Sequence, residues 1–146
     1  MGARRPVSIL IGALGGHGGG VLTEWLVAAA ARAGYAAQST SIPGVAQRTG
    51  ATTYYVEIYP VPIASLAGHV PILGLLPVPG RVDLVVASEL LEAARTVQAG
   101  MTSAERTLLV TSTARTLTTA EKIRLGDGRF DPARLLDVAR GHNRDV

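Results

Sequence analysis

Cysteine is missing from the sequence altogether. The chain can therefore form no disulfide, offers no thiolate nucleophile and cannot hold an iron–sulfur cluster in the usual way. Its three histidines, His17, His69 and His142, are far apart, and none is paired with a second ligand type at a familiar metal spacing. We expect no metal site in this chain, and any redox centre must lie elsewhere.

Long apolar runs are missing too, although 47% of the residues are hydrophobic. No stretch of about twenty uninterrupted apolar residues could span a membrane, and residues 1–5 provide no apolar signal segment. Aromatic residues are few, and the thirteen arginines are scattered. Nucleic-acid binding requires a concentrated basic face or a stacking platform. We expect a soluble, cytoplasmic protein that contacts neither membrane nor nucleic acid.

Several nucleotide and nucleophile motifs are also absent. No register of residues 12–20 places glycines as G-x-G-x-x-G, and no acidic residue lies between Glu24 and Glu57 to bind a ribose. The only lysine is Lys122, so there is no P-loop, and G-x-S-x-G does not occur. Gly126-Asp127-Gly128 resembles the start of the magnesium-diphosphate motif of thiamine enzymes, but Asn143 follows too closely and a turn explains it better.

What is present is an alternation of strand and helix patterns, which predicts one α/β layered domain over residues 1–146. The second strand should run parallel to the first, and the third antiparallel because its connection is short. Leu22, Trp25, Leu26, Ala29 and Ala33 form the predicted apolar stripe of the first helix, and Ser88 is the expected N-cap of the second. The expected strands are residues 7–11, 35–42, 52–59, 82–87 and 106–111, and the expected helices are residues 21–33, 89–100 and 131–140.

No strand pattern follows the last helix, which ends near Arg140. We therefore expect that a closing element of the domain is absent and that the domain is truncated at this end.

Six glycines occur in residues 12–20, between the first strand and the first helix. Glycine allows positive φ and close approach to the backbone, and a helix beginning there points free N–H groups at the same place. The pattern predicts a site for phosphate, carboxylate or a partner's polar edge. His17, inside this loop, is equally well explained as a contact to a bound group or as a surface histidine.

A second polar segment, Gln47-Arg48-Thr49-Gly50, precedes the third strand. The guanidinium fork of Arg48 suits a carboxylate or phosphate, and the segment could fold toward the glycine loop. The alternative is a solvated turn.

Five prolines interrupt the apolar residues between Pro60 and Gly80. They exclude one regular element through the whole span. We expect this segment to contact another subunit in preference to packing on its own domain.

Three segments together carry a family resemblance: GALGGHGGGVLTEWL, SIPGVAQRTGATTYYVEI and PVPGRVDLVVASELLEAAR. They resemble the gamma domain of 2-oxoacid:ferredoxin oxidoreductases, and within that group the beta subunit of indolepyruvate oxidoreductases. The specific combination is the glycine loop, an Ala-Gln-Arg-x-Gly segment and an Asp-x-x-x-Ala-x-Glu strand end at Asp83, Ala87 and Glu89. The resemblance covers nearly the whole chain.

The resemblance implies a three-layer α/β/α sandwich on a mixed, mostly parallel, Rossmann-like sheet. It also implies a subunit that works with an alpha partner in a hetero-oligomer. That partner would hold thiamine diphosphate, Mg and [4Fe-4S] clusters, and the complex would convert an aryl 2-oxoacid and CoA to an acyl-CoA while reducing ferredoxin. No cofactor would be held by this chain alone.

The site residues implied by the resemblance lie in the two loops and would bind CoA or substrate. His17 stands where relatives commonly have Gln or Glu, and Thr49 where many have Gly. Two alternatives remain open: an assembly module with no ligand site, and a Rossmann-like nucleotide-binding protein. The implied binding residues are Gly12, Gly15, Gly16, His17, Gly18, Gly19, Gly20, Gln47, Arg48, Thr49 and Gly50.

Overall fold

The computed structural model describes residues 4–43 and 51–146. The strand and helix alternation predicted from the sequence is confirmed, and the short helix α3 is an addition to it. Irregular chain joins β3 to β4 apart from one 3₁₀ turn, Ile63–Ser65. The elements are β1 Val7–Leu14, α1 Gly19–Arg32, β2 Tyr35–Pro43, β3 Ala51–Pro62, β4 Leu84–Ala87, α2 Leu90–Gln98, β5 Leu108–Thr111, α3 Thr119–Lys122 and α4 Pro132–His142.

The five strands form one mixed sheet in the order β2-β3-β1-β4-β5. Strand β3 is antiparallel to both of its neighbours, whereas β4 is parallel to β1 and β5 is parallel to β4. Four strands therefore run in one direction and β3 in the other. The predicted directions of the second and third strands are confirmed, although β3 separates β2 from β1.

Both faces of the central strand β1 are covered by helices. Leu10 packs with Ala93 of α2 and Ala139 of α4 on one face. Ile9 and Ile11 are buried on the other face, where leucine and valine side chains of α1 pack against them. Two covered faces explain why β1 reads as a continuous apolar run, and the predicted three-layer sandwich is confirmed.

Helix α1 faces the sheet with part of the predicted stripe. Leu22 and Leu26 pack against the sheet, whereas Ala29 and Ala33 are exposed. Trp25 is 69% exposed, whereas Thr23 and Ala30 are buried. Burial of Thr23 is tolerated because its hydroxyl donates to the carbonyl of Gly19 within the helix, at 2.8 Å. The predicted stop is confirmed, since the helix ends before Gly34, which has a φ of 82°.

None of the helices in the described parts of the chain is both long and apolar enough to cross a membrane.

Candidate functional site

The carboxyl ends of β1 and β4 lie side by side, with Gly12 paired in register with Ala87. Helix α1 follows β1 on one face of the sheet, and α2 follows β4 on the other. Adjacent parallel strands whose connections leave on opposite faces create a crevice, and ligands of open α/β sheets bind there. The glycine-rich loop lies at this crevice.

We call residues 14–18 the glycine turn. The N–H of His17 donates to the carbonyl of Leu14 at 3.0 Å, which closes the turn. Gly16 and Gly18 have φ values of 83° and 76°, a region that other residues rarely adopt. Gly15 to Gly18 are exposed, so the turn presents its backbone to solvent at the crevice.

The glycine turn leads directly into the N-terminus of α1. Gly18 is the N-cap residue, it provides no side-chain cap, and the first turn of the helix contains no acidic residue. The positive end of the helix dipole is therefore not compensated locally, which favours an anion at this position.

Among the later glycines of the loop, Gly19 is the one whose missing side chain is required for packing. A Cβ on Gly19 would lie 2.9 Å from the ring of Tyr54, and a Cβ on Gly20 would lie 3.4 Å from the hydroxyl of the same residue. Gly12 faces α2, and a Cβ there would make an ordinary contact with the Cβ of Glu92 at 3.5 Å. The glycines predicted as one binding loop thus divide into an exposed turn and a packed helix start.

Ser88 connects β4 to the glycine turn. Its Oγ accepts the N–H of Leu14 at 3.2 Å and lies 3.1 Å from Nδ1 of His17. The prediction that Ser88 caps α2 was wrong, because Glu89 occupies the N-cap position. The hydroxyl is used across the crevice instead, and the parallel pairing of β1 with β4, which a sequence pattern does not reveal, makes this possible.

Two buried carboxylates behind the turn were not predicted as site residues. Glu89 and Glu92 line a cavity of about 170 Å³ between Leu14, α2 and the segment before α3. Glu92 is 4% exposed and pairs with Arg95. Burial raises the pKa of Glu92, Arg95 opposes that rise, and Glu89 adds to it. The sequence signal for these residues was weak, since Glu92 lies between apolar positions of α2.

Glu89 also holds the chain that follows β5. Its Oε2 accepts the N–H of Thr116 at 3.0 Å and lies 3.6 Å from Nη1 of Arg115. The second terminal nitrogen of Arg115, Nη2, pairs with Glu121. Although burial alone raises the pKa of Glu121, hydrogen bonds from the N–H groups of Thr118 and Phe130 outweigh it and lower that pKa. This ionic group lies beside the cavity, which is lined by Glu89 and Thr116.

With this geometry established, comparison with protein families assigns the chain. Residues 8–142 match the family described as pyruvate ferredoxin/flavodoxin oxidoreductase. The chain belongs to that family. No curated protein matches it at a significant level.

A solved structure supports the fold of this oxidoreductase family member. The crystal structure of pyruvate oxidoreductase subunit PORC from Thermotoga maritima is similar, with 18% sequence identity and a TM-score of 0.52. The match covers 77% of this chain and 53% of the PORC chain, so the present chain spans about half the length of that relative. At this identity the likeness is one of fold.

The second predicted loop, Gln47 to Gly50, lies outside the described residues. The strands on either side of it end near the glycine turn. Ala51, the first residue of β3, is paired with Leu14, and Pro43 of β2 is paired with Thr52. These pairings are consistent with the expected proximity of the two loops, which stays a prediction.

Residues 4–43 and 51–146 contain no group of three or more acidic, histidine or cysteine side chains that could hold a metal ion. In the Gly126–Gly128 sequence the carboxylate of Asp127 pairs with Arg129 at 2.8 Å and accepts the N–H of the same residue at 3.1 Å. The residues described do not fit a thiamine diphosphate–magnesium site.

Residues 63–80 of the family member, here called the apolar segment, follow β3. Val70 is 87% exposed and Ile72 is 95% exposed. The segment is nevertheless anchored, since the N–H of Gly74 donates to Glu57 at 2.6 Å and its carbonyl accepts from Gln38 at 3.4 Å. Large apolar side chains are therefore exposed in a segment whose backbone is anchored at Gly74. Contact with another subunit stays a prediction.

Proposed function

We propose that this chain is the cluster-free subunit of a thiamine-diphosphate-dependent 2-oxoacid:ferredoxin oxidoreductase of the indolepyruvate type. Membership of the pyruvate ferredoxin/flavodoxin oxidoreductase family over residues 8–142 carries the proposal. The absence of cysteine supports a division of labour in which an alpha partner holds the [4Fe-4S] clusters, thiamine diphosphate and Mg. The chain alone is not catalytic.

The complex would decarboxylate an aryl 2-oxoacid such as indole-3-pyruvate, transfer the acyl group to CoA and pass two electrons through the partner's clusters to ferredoxin. We place this hetero-oligomer in the cytoplasm. Thiamine diphosphate supplies the carbanion chemistry on the partner. The contribution of this chain is to bind and orient an anionic group.

The glycine turn is the proposed binding element. Its exposed backbone, the uncapped start of α1 and the crevice between β1 and β4 all favour an anion at one place. We propose that the turn and Arg48 contact the phosphates of CoA or the carboxylate of the oxoacid. Ser88 would hold the turn in its binding shape through Leu14.

The test is reconstitution of this chain with a cysteine-bearing, thiamine-motif partner. Oxoacid- and CoA-dependent reduction of ferredoxin is expected only from the complex. Arg48→Ala should raise the Michaelis constant for CoA or for the oxoacid, whereas Arg134→Ala, on the exposed side of α4, should leave both unchanged. Oxoacid turnover by the chain alone would refute the proposal, and unchanged constants in Arg48→Ala would refute the role of that residue.

A second candidate function, an assembly module without a ligand site, is favoured by the apolar segment. Leu75, in this segment, is 63% exposed, and Leu125, before α4, is fully exposed. If the segment docks the alpha partner, Leu75→Asp should abolish co-purification, while Leu125→Asp should not. Retention of the partner by Leu75→Asp would exclude this function, and CoA-dependent thermal stabilisation of the chain would favour the ligand site.

A further inference from the structure

Four arginines that are far apart in the sequence lie close together at the end of the sheet opposite the glycine turn, where β1, β4 and β5 begin. They line a cleft of about 500 Å³, here called the arginine cleft, with Arg5 before β1, Arg81 before β4, Arg106 before β5 and Arg144 after α4. Strand β1 connects this end of the sheet to the glycine turn, and its length is roughly 23 Å at a rise of about 3.3 Å per residue. The cleft is therefore distinct from the proposed CoA site.

Asp83 fixes two of the four guanidinium groups. Arg5 binds it with both terminal nitrogens, one of them at 2.9 Å, and Arg106 lies 3.6 Å from Oδ1. The carboxylate is itself held by Ser8, whose N–H and hydroxyl each donate to Oδ2 at 2.9 Å. One carboxylate thus organises two positive charges and neutralises only one of them.

The other two arginines are not neutralised within the described part of the chain. The side chains of Arg81 and Arg144 form no ion pair or hydrogen bond there, although their backbone N–H groups are bonded to Val78 at 3.0 Å and to Thr107 at 2.7 Å. Glu105 is the only further acidic residue in the lining. Four arginines against two carboxylates leave a net charge of +2, most of the +3 carried by the whole chain.

We infer that the arginine cleft binds a ligand bearing a diphosphate group. The cleft volume is in the range of small-molecule sites. Guanidinium groups donate in pairs to phosphate oxygens, and two of them, on separate loops, are free to do so. Two excess positive charges match a multiply charged anion better than a single carboxylate.

Titration of the full chain with inorganic pyrophosphate, at constant ionic strength and followed by calorimetry and by backbone amide NMR, tests the inference. We expect saturable binding, with the largest shifts at Gly80, Arg81, Ser103 and Arg106. Arg81→Ala and Arg144→Ala should each weaken binding at least about tenfold, which corresponds to 1.4 kcal/mol. Glu105→Gln should tighten it, because it removes a negative charge from the cleft lining and leaves Asp83, the partner of Arg5 and Arg106, in place.

Arg134→Ala is the matched control, since Arg134 is an exposed arginine on α4 outside the cleft. The inference is overturned if pyrophosphate does not bind, or if the two cleft variants and the control weaken binding equally. It is also overturned if the largest shifts occur at Gly16 to Gly20, because the anion would then occupy the glycine turn. None of these readouts depends on oxidoreductase activity, so the proposed function stands or fails separately.

Discussion

A Cβ atom on Gly19 would lie 2.6 Å from the Cβ of Ala13. Real Cβ atoms do not approach so closely, and Ala13 is itself 3% exposed in the middle layer. The absence of a side chain at Gly19 therefore sets how near the start of α1 comes to β1. The same approach determines where the exposed part of the glycine turn lies above the crevice.

Gly19→Ala should destabilise the chain by about 1–3 kcal/mol, the usual cost of overpacking a well-packed site. Helix propensity alone predicts the opposite sign, because it favours alanine over glycine by about 1 kcal/mol. Gly20→Ala is the matched control, because its Cβ would meet only Tyr54, whose hydroxyl would lie at 3.4 Å and whose ring would lie at 3.7 Å. Urea unfolding measures both variants. Equal stability of Gly19→Ala and the wild type would contradict the packing role.

The sequence predicted the layers of the fold better than the details of the site. Strand β1 could be predicted because burial on both faces demands a continuous apolar run. Trp25 was assigned to the wrong side of α1, since periodicity alone cannot detect that Thr23 satisfies its hydroxyl within the helix. The side-chain contacts of Ser88 and Glu89 were missed, because they depend on which segments become neighbours in the fold.

Ser88→Ala should loosen the glycine turn. The variant loses the acceptor for the N–H of Leu14 and the contact to His17. A lost hydrogen bond of this kind costs about 1 kcal/mol. Hydrogen exchange at the amide of Leu14 should become roughly fivefold faster, since 1 kcal/mol corresponds to that factor.

Ser41→Ala is the control for this prediction, because Ser41 is an exposed residue of β2, away from the turn. It should leave exchange at Leu14 as in the wild type. If exchange at Leu14 is equally fast in the wild type and in Ser88→Ala, the hydroxyl does not hold the turn.

Glu89→Gln should lower the free energy of unfolding by about 1.5–3 kcal/mol, the range for hydrogen bonds that involve a charged group. Glu89 is 1% exposed, and the substitution removes the charge that faces Arg115 and the strong acceptor of the N–H of Thr116. Glu24→Gln, on the exposed side of α1, should change stability by no more than about 0.5 kcal/mol. A similarly small effect of Glu89→Gln in denaturant unfolding would show that the buried ion pair is dispensable.

Glu92 and Glu121 should have opposite effects on the pH dependence of stability. Burial raises the pKa of Glu92 in the folded chain, and this shift exceeds the opposing effect of Arg95. Its contribution to stability is therefore full below the unfolded pKa of about 4.3 and is lost as the pH rises through the folded value. The free energy of unfolding of Glu92→Gln, relative to the wild type, should increase as the pH rises from 4 to 7.

For Glu121, hydrogen bonds from Thr118 and Phe130 outweigh burial and lower the folded pKa. Its contribution is present above the unfolded pKa and is lost as the pH falls through the folded value. The deficit of Glu121→Gln relative to the wild type should therefore shrink below about pH 4.3. Urea unfolding at a series of pH values measures both differences. If the stability difference from the wild type changes with pH in the same direction for both variants, the opposite pKa shifts of Glu92 and Glu121 are contradicted.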